Sequence, residues 1–293
     1  MKEKKPLNEK NYYRRMSDSL KDKLKILDYM DEGDKVLDFG AGTADIAKYV
    51  NEKGYYTAYD WDEELQEFYG DEFMSYLKHP LDIPSLEDSS TRFDIIYLSS
   101  VTHEMFSTVF NARQEDLDWN IAYSNALDNL LGTLFKELPK ILNPNGKIII
   151  RDWMNVEEIY PEGYKLYVNP TAVDDFSRFL TGFTEQNKNV GISMVKDTTL
   201  FEGSSKDLYE VLYHYNWGEQ SEYRENKEVY GVLNPGIIIN YLIKNQIKFK
   251  MKARQAYFDE GYLPYLINKL TLVKNGNVAP YFPTKMFTVI ELN

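Results

Sequence analysis

The chain has 293 residues, 43% of them hydrophobic and 27% charged, a balance that is typical of a folded globular protein and argues against wholesale disorder. The 46 acidic residues outnumber the 34 basic ones and give a formal charge of −12, which disfavours nucleic-acid binding through overall charge. No cysteine is present, and this excludes disulfides, thiolate metal sites and a cysteine nucleophile. The basic N-terminus is not followed by an apolar stretch, and no segment approaches the ~18 apolar residues of a membrane span, so we expect a cytoplasmic protein.

Helix and strand patterns alternate through the first half of the chain. Apolar residues at helical spacing predict a helix over 11–30. Residues 35–39 and 55–59 are typical of buried strands, and a predicted helix over 45–53, ended by Gly54, separates them. A strand over 93–98, a long helix over 118–142 and a strand over 147–153 follow. Strands joined through helices pair in parallel, so the sequence predicts an α/β fold.

The second half of the chain interrupts this alternation. Residues 155–240 are rich in Tyr, Glu and Asn and show helical patterns near 171–181 and 206–215, which indicates an insertion. Alternation with period two over 247–254 predicts a strand, and 285–292 predicts the last one. The densest apolar runs, 148–150 and 237–239, have the length of strands.

A glycine-containing turn, Asp-Phe-Gly-Ala-Gly-Thr-Ala over 38–44, lies between the first predicted strand and its helix. Glycines allow a ligand to approach the backbone closely, and ligands of open α/β sheets bind at the carboxyl ends of strands. A dinucleotide fingerprint needs glycine or alanine where this chain has Asp45, and a carboxylate there would repel a pyrophosphate. Dinucleotide binding is therefore the weaker alternative.

Two further carboxylates follow predicted strands. Asp60 stands at the end of the second strand, where a carboxylate can accept hydrogen bonds from both hydroxyls of a ribose, and Trp61 can lie against an adenine. Asp82 stands where a third strand should end and can accept a hydrogen bond from an adenine amine. The alternative is that both carboxylates are solvated in loops.

In their order and spacing, these motifs resemble class I S-adenosylmethionine-dependent methyltransferases over residues 30–153 and 247–293. The resemblance rests on the glycine turn, Asp60, the pair Asp82 and Ile83, and the segments 93–100 and 146–153. It implies a Rossmann-like, mostly parallel seven-stranded sheet with helices on both faces, an N-terminal helical segment and a helical insertion after the fifth strand. Ala44 departs from the family pattern, because many members have a third glycine there, and we expect a slightly less open turn.

The resemblance also implies S-adenosylmethionine as the cofactor. In the family the glycine motif contacts the methionine end, the acidic residue after strand two holds the ribose, and the pair after strand three meets the adenine. Arg15 can pair with the cofactor's carboxylate, or it belongs to an exposed helix start. The predicted cofactor-binding residues are Arg15, Asp38, Gly40, Ala41, Gly42, Asp60, Trp61, Asp82, Ile83 and Ser99.

The segment after the fourth strand, Leu-Ser-Ser-Val-Thr-His-Glu over 98–104, should border the transferred methyl group. His103 titrates near neutral pH, and His103 or Glu104 is a candidate base for a weakly acidic acceptor. Alternatively, His103 packs on the following helix and Glu104 caps it. The Asp/Asn-Pro-Pro-Tyr/Phe signature of DNA and glutamine amino-methyltransferases is absent here, which leaves hydroxyl, carboxyl, carbon or other nitrogen acceptors.

Three residues of the insertion, Tyr213, His214 and Arg224, are candidates for a pocket that binds a planar or sugar-like acceptor. Tyr213 and His214 lie in the predicted helix over 206–215, and packing of its aromatic face into a core explains these two residues equally well. The stripe Lys248, Lys250, Lys252 and Arg254 either binds phosphates or protects an edge strand from aggregation. No helix carries His or carboxylates at a recognisable ligand spacing, so we expect no metal.

The sequence therefore predicts a methyltransferase for a small-molecule acceptor, with no membrane contact and no indication of oligomeric state. We expect four segments: an N-terminal helical segment (1–30), a cofactor-binding core (31–154), an inserted substrate region (155–240) and final strands that complete the sheet (241–293). Two alternatives stay open. One is an RNA or DNA methyltransferase that uses the basic strand, and the other is a protein that binds the cofactor without catalysis.

Overall fold

A mixed sheet forms the centre of the molecule. The computed structural model describes residues 19–60, 74–76, 91–113, 117–157, 159–160, 162–196, 198–217 and 225–293. Numbered along the chain, the strands of this sheet are β1 Lys35–Phe39, β2 Tyr55–Asp60, β3 Met74–Tyr76, β4 Phe93–Ser99, β5 Leu142–Trp153, β9 Phe249–Tyr257 and β12 Lys285–Leu292. Their spatial order is β3-β2-β1-β4-β5-β12-β9. Strands β1 to β5 pair in parallel, and β12 is antiparallel to both of its neighbours.

Helices lie on both faces of this sheet, and further helices of the described residues pack on a second sheet. They are α1 Leu20–Lys23, α2 Ala47–Asn51, α3 Thr102–Arg113, α4 Trp119–Gly132, α5 Val173–Gln186, α6 Ser205–Tyr215, α7 Pro235–Lys244 and α8 Leu263–Leu266. A 3₁₀ segment, Leu24–Tyr29, continues α1, and irregular helical turns, Thr133–Glu137 and Leu138–Ile141, continue α4. Together, α4 and its continuations account for most of the predicted helix over 118–142. In the same way, α1 and its continuation account for the described part of the predicted helix over 11–30.

Successive side chains of the central strands enter opposite cores, because a strand alternates its faces at every residue. Leu37 and Ile96 pack with α3, α4 and α7 on one face. Their neighbours Val36 and Ile95 pack with α1, its 3₁₀ continuation and α2 on the other. The α/β class with a mostly parallel sheet between helices is thereby confirmed.

A second sheet and a second core follow β5. This sheet has the order β11-β10-β6-β8-β7, and its strands are β6 Tyr164–Val168, β7 Ser193–Met194, β8 Leu200–Glu202, β10 Leu270–Lys274 and β11 Asn277–Val278. The apolar faces of α5 and α6 pack on it. The sequence suggested a helical insertion, but the insertion also contains the strands β6, β7 and β8. The final residues also do not all complete the central sheet, because β10 and β11 join the second one.

The apolar run 237–239 lies in a helix, not in a strand. Asn234 caps α7 by accepting a hydrogen bond from the Ile237 N–H over 2.8 Å, and Pro235 begins the helix. Within the described part of the chain, none of the helices combines the length and apolar character needed to cross a bilayer.

Candidate active site

The carboxyl ends of β1 and β4 border the point at which the order of the strands reverses. The chain runs outward from β1 through β2 to β3 and then returns to place β4 on the other side of β1. Such a reversal leaves a crevice outside the strand ends, because the two connections leave in opposite directions. The glycine turn follows β1, and Ser99 ends β4, so both lie beside this crevice.

The turn after β1 has the left-handed backbone that its glycines permit. Gly40 has φ +76° and Gly42 has φ +52°. Ala44 adopts φ +49°, a conformation that costs an alanine about 1 kcal/mol. Gly40 and Ala41 donate their N–H groups to the Tyr59 carbonyl over 2.7 and 3.1 Å, which fixes the turn against the end of β2.

Asp38 is a buried carboxylate beneath the turn. Its Oδ2 accepts a hydrogen bond from the Tyr56 hydroxyl over 2.8 Å, whereas its Oδ1 is buried without a hydrogen-bond partner. Burial raises the pKa of Asp38 to about 7, and the neighbouring Asp60 adds to the rise, because both effects disfavour the charged form. An unsatisfied buried oxygen costs free energy that a ligand can recover by donating a hydrogen bond.

Asp60 ends β2 and turns towards the glycine turn. It is 6% exposed, and its Oδ2 accepts the Gly42 N–H over 2.8 Å. Two of the predicted carboxylates, Asp38 and Asp60, are thus brought together at the ends of β1 and β2. The predicted partners Arg15, Trp61, Asp82 and Ile83 lie outside the described residues.

Ser99 belongs to a buried ionic network that the sequence analysis did not identify. Arg151, near the end of β5, lies with its Nη1 3.4 Å from Ser99 Oγ and 3.0 Å from Ser100 Oγ. Its Nε pairs with Asp22 of α1, and its Nη2 lies 3.4 Å from Asp259. Arg151 is 1% exposed, and the two carboxylates compensate its charge. The network therefore joins α1 to the ends of β4 and β5.

Lys285, the first residue of β12, extends the network. Its Nζ donates to Ser100 Oγ over 3.0 Å and lies 4.0 Å from the centre of the Trp153 ring. Burial and the nearby Arg151 lower the pKa of Lys285 to about 7. Only one sequence signal pointed towards these residues. Arg151 directly follows the apolar run 148–150, and a charged residue that continues a buried strand needs a buried partner.

His103, in the first turn of α3, is held by Asp152 near the end of β5. Asp152 accepts the His103 N–H over 3.1 Å and the Thr102 hydroxyl over 2.6 Å, so this carboxylate caps the start of α3. The His103 Nδ1 lies 2.7 Å from Asp152 Oδ1, and its Nε2 lies 3.3 Å from Glu228. Burial opposes the charged imidazole, but the Asp152 and Glu228 carboxylates outweigh burial and raise the pKa of His103 to about 10.

Glu104 lies beside this pair. His103, Glu104 and Glu228 each offer one nitrogen or oxygen atom, and these atoms lie within 4.8 Å of one another, close enough to meet one cation. A protonated His103 between carboxylates also accounts for the cluster without an ion. The sequence could not indicate the group, because Glu228 is far from His103 and Glu104 along the chain.

The predicted acceptor residues Tyr213 and His214 are both completely buried. The Tyr213 hydroxyl donates to the Phe282 carbonyl, and the His214 ring nitrogens lie 2.7 and 3.2 Å from the carbonyls of Glu210 and Glu228. These contacts favour the packing interpretation of the aromatic helix face. Arg224 lies outside the described residues.

Part of the basic stripe on β9 is neutralised by the neighbouring strand. Lys250 and Lys252 lie 3.0 and 3.1 Å from the Glu291 carboxylate of β12. Both lysines make exposed ion pairs, which are weak, but the pairing leaves less positive charge for a phosphate backbone.

No family model matches the sequence, and no curated protein is similar to it at the level of sequence. The structure is similar to that of an S-adenosylmethionine-dependent methyltransferase from Anabaena variabilis, with 12% identity, a TM-score of 0.45 and coverage of 95% of this chain and 86% of the other. It is also similar to one from Listeria monocytogenes, with 12% identity, a TM-score of 0.46 and coverage of 92% and 98%. A third, from Mesorhizobium loti, has 11% identity, a TM-score of 0.43 and coverage of 89% and 91%. These likenesses are too distant to assign a function, which must rest on the site.

Proposed function

We propose that this chain is an S-adenosylmethionine-dependent methyltransferase that acts on a small-molecule acceptor. The observation that carries the proposal is the position of Asp60, whose carboxylate lies against the Gly42 N–H at the reversal point of the sheet. A carboxylate at a strand end beside a glycine turn suits the paired hydroxyls of a ribose. Asp45 stands where a dinucleotide fingerprint needs glycine or alanine, and its carboxylate would repel a pyrophosphate, which argues against a dinucleotide.

The residues of the site fit S-adenosylmethionine. Asp38 Oδ1 has no hydrogen-bond partner, and the ammonium group of an amino acid would supply both a donor and a compensating charge. Gly40 and Gly42 have positive φ, which glycine adopts without strain, and they place no side chain on the turn. We propose that Arg15, Trp61, Asp82, Ile83 and Ser99 contact the rest of the cofactor. When bound, the cofactor supplies a methyl group on a sulfonium, which is activated for displacement.

The chain's own residues would position the acceptor and remove its proton. His103 keeps its proton at neutral pH, because two carboxylates face its ring. We therefore propose Glu104 as the group that receives the acceptor's proton, and His103 as the charged neighbour that orients Glu104. Either residue would meet the acceptor from the start of α3, next to Ser99 and Ser100.

Calorimetry and product analysis test the proposal. The protein should release or absorb heat with S-adenosylmethionine and with S-adenosylhomocysteine, and incubation with a panel of small amines and hydroxyl compounds should yield S-adenosylhomocysteine. Heat with NAD and none with either sulfur compound would overturn the proposal. Cofactor binding without product from any acceptor would instead favour the non-catalytic alternative. Among the described residues, no observation favours a nucleic-acid substrate.

A further inference from the structure

Ser100 is a partly exposed residue with a strained backbone between β4 and α3. Its φ of +57° lies in the left-handed region, which a residue with a side chain adopts only at a cost. The Ser100 N–H donates to the Arg151 carbonyl of β5 over 2.7 Å, and this bond helps to hold the turn. Strained residues of this kind cluster at functional sites.

Two cationic side chains meet the Ser100 hydroxyl. Its Oγ lies 3.0 Å from Lys285 Nζ and 3.0 Å from Arg151 Nη1. The guanidinium does not lose its proton in a protein, so Arg151 can only donate to this oxygen. Lysine differs, because an uncharged amine can accept a proton from a hydroxyl group. Ser100 and Lys285 therefore have the contact that a nucleophile and its base require.

The surroundings of Lys285 hold its amine between the charged and the uncharged state. The side chain is 2% exposed, and burial together with the Arg151 charge lowers the pKa of Lys285 to about 7. The Trp153 ring, centred 4.0 Å from Nζ, attracts the ammonium form. Three carboxylates also oppose the fall in pKa, those of Asp22, Asp152 and Asp259. About half of the lysine is consequently uncharged at neutral pH, as a general base must be.

The place of Ser100, directly after a strand and before a helix, is that of the nucleophile in hydrolases with a Gly-x-Ser-x-Gly turn. In this chain the two glycine positions hold Leu98 and Thr102, so the glycine pattern itself is absent. Ser100 is therefore singled out by its backbone and by the Lys285 contact, and not by a sequence motif.

We propose that Ser100 is a nucleophile for acyl transfer from a small carboxylic ester, with Lys285 as its general base. As Ser100 Oγ forms a bond to the acyl carbon, its proton passes to the Lys285 amine, and the Arg151 charge stabilises the oxygen. The bond from that carbon to the alcohol oxygen breaks, and the alcohol leaves with the proton from Lys285. Water then releases the acyl group as a carboxylic acid, and Lys285 again accepts and returns a proton. This activity is separate from methyl transfer.

Phenylmethylsulfonyl fluoride tests the nucleophile, because it sulfonylates an activated serine with loss of fluoride. Intact-mass spectrometry of the full chain should show one added sulfonyl group, and peptide mapping should place it on Ser100. Ser100→Gly should abolish labelling, whereas Ser193→Ala, at an exposed serine of β7, should leave it unchanged. Glycine adopts the φ of this turn without strain, so Ser100→Gly should melt at a higher temperature than Ser100→Ala.

Substitution of Lys285 separates a base from a cation that only supports the turn. Lys285→Arg keeps the positive charge but cannot accept a proton, and Lys285→Met keeps a long side chain without the charge. Both variants should label about 100-fold more slowly and lose the hydrolysis of p-nitrophenyl acetate. The wild-type labelling rate should rise about tenfold from pH 6 to pH 8, and this rise should be absent in Lys285→Arg.

The contrary outcomes are equally definite. No label, a label on Ser99 in place of Ser100, or full labelling of Lys285→Arg overturns the inference. Labelling without hydrolysis of p-nitrophenyl acetate overturns the acyl-transfer assignment. Thermal unfolding shows whether each variant folds. If the Lys285 variants do not, a wild-type rate that is unchanged between pH 6 and pH 8 excludes this lysine as the base. The methyltransferase proposal is decided separately, by calorimetry with S-adenosylhomocysteine.

Discussion

Gly42 donates its backbone N–H to the Asp60 carboxylate over 2.8 Å, and this contact ties the turn after β1 to the tip of β2. Parallel neighbouring strands end at the same edge of the sheet, which brings two residues 18 positions apart together. The backbone of the turn therefore helps to orient the Asp60 carboxylate.

Asp60→Asn should weaken the binding of S-adenosylmethionine by about 10- to 100-fold, because hydrogen bonds to a charged group contribute about 1.5–3 kcal/mol. Isothermal titration calorimetry gives the affinity. The exposed Glu32→Gln removes a charge of the same sign just before β1, at the end of the strand opposite the glycine turn, and should leave the affinity unchanged. Equal losses in both variants would mean that general charge, and not the contact of Asp60, determines binding.

Cofactor affinity should rise with pH through neutrality. The pKa of Asp38 is about 7 in the protein, so the carboxylate that would meet an ammonium group is mostly neutral at pH 6 and mostly charged at pH 8. The expected gain between these values is about tenfold. Calorimetry in buffers of different ionisation heat would also detect proton release on binding. Asp38→Asn should bind weakly at every pH, and a wild-type affinity that does not change with pH would contradict the assignment.

The same carboxylate should lower the stability of the unliganded protein. Its pKa is raised above the unfolded value of 3.8, so this group costs no stability below about pH 4, and the cost grows as pH rises to about 7. The amide that Asp38→Asn introduces cannot ionise. At pH 8 the variant should therefore have a free energy of unfolding about 1–3 kcal/mol larger than that of the wild type, and a higher melting temperature. At pH 4 the two proteins should differ little. Thermal unfolding at both pH values measures the contrast.

The central sheet could be predicted from the sequence because each buried strand is short, apolar and bounded by a turn or a polar residue. Residues 35–39 and 93–98 show this pattern clearly, and their strands β1 and β4 match it closely. The run 237–239 has the length of a strand but lies in a helix, and a buried helix and a buried strand look alike over three residues. The Asn234-Pro235 cap before it was the signal that distinguished them.

Side chains that approach from distant parts of the chain could not be predicted. Asp60 was recognised because strand order alone brings it to the glycine turn. Asp152 and Glu228 lie on either side of His103, yet nothing in the local sequence around His103 indicates them. For Tyr213 and His214 the sequence left two interpretations open, because the helical spacing of aromatic residues is the same whether they face a pocket or a core, and their complete burial favours the core.

Asp22→Asn should destabilise the protein by about 3–5 kcal/mol, because it leaves the buried Arg151 with one carboxylate fewer. The Tyr257 hydroxyl donates to the same carboxylate over 2.5 Å and would instead meet an uncharged amide oxygen, which adds to the effect. Chemical denaturation measures the change, and Lys21→Gln, an exposed change on the same helical turn, is the control. The double variant Asp22→Asn with Arg151→Met should be less destabilised than the sum of the two changes. Additive effects would show that the pair does not couple α1 to the sheet.

The protonation of His103 can be read from the dependence of stability on pH. Its pKa is raised from 6.5 to about 10, because the Asp152 and Glu228 carboxylates outweigh burial. The stabilisation is therefore complete below about pH 6.5 and is lost as pH rises to about 10, by several kcal/mol in total. His103→Gln, which lacks a titratable ring, should show a flatter decline in melting temperature over this interval, and Glu228→Gln, which keeps the Asp152 pair, should lie between the two.

If His103 itself accepts the proton of the methyl acceptor, the rate of methyl transfer should rise up to about pH 10 in the wild type. If Glu104 does so, Glu104→Gln should abolish transfer and the rate should not follow the ionisation of His103. A wild-type melting curve with the same pH dependence as His103→Gln would contradict the raised pKa and restore the imidazole as a base at neutral pH.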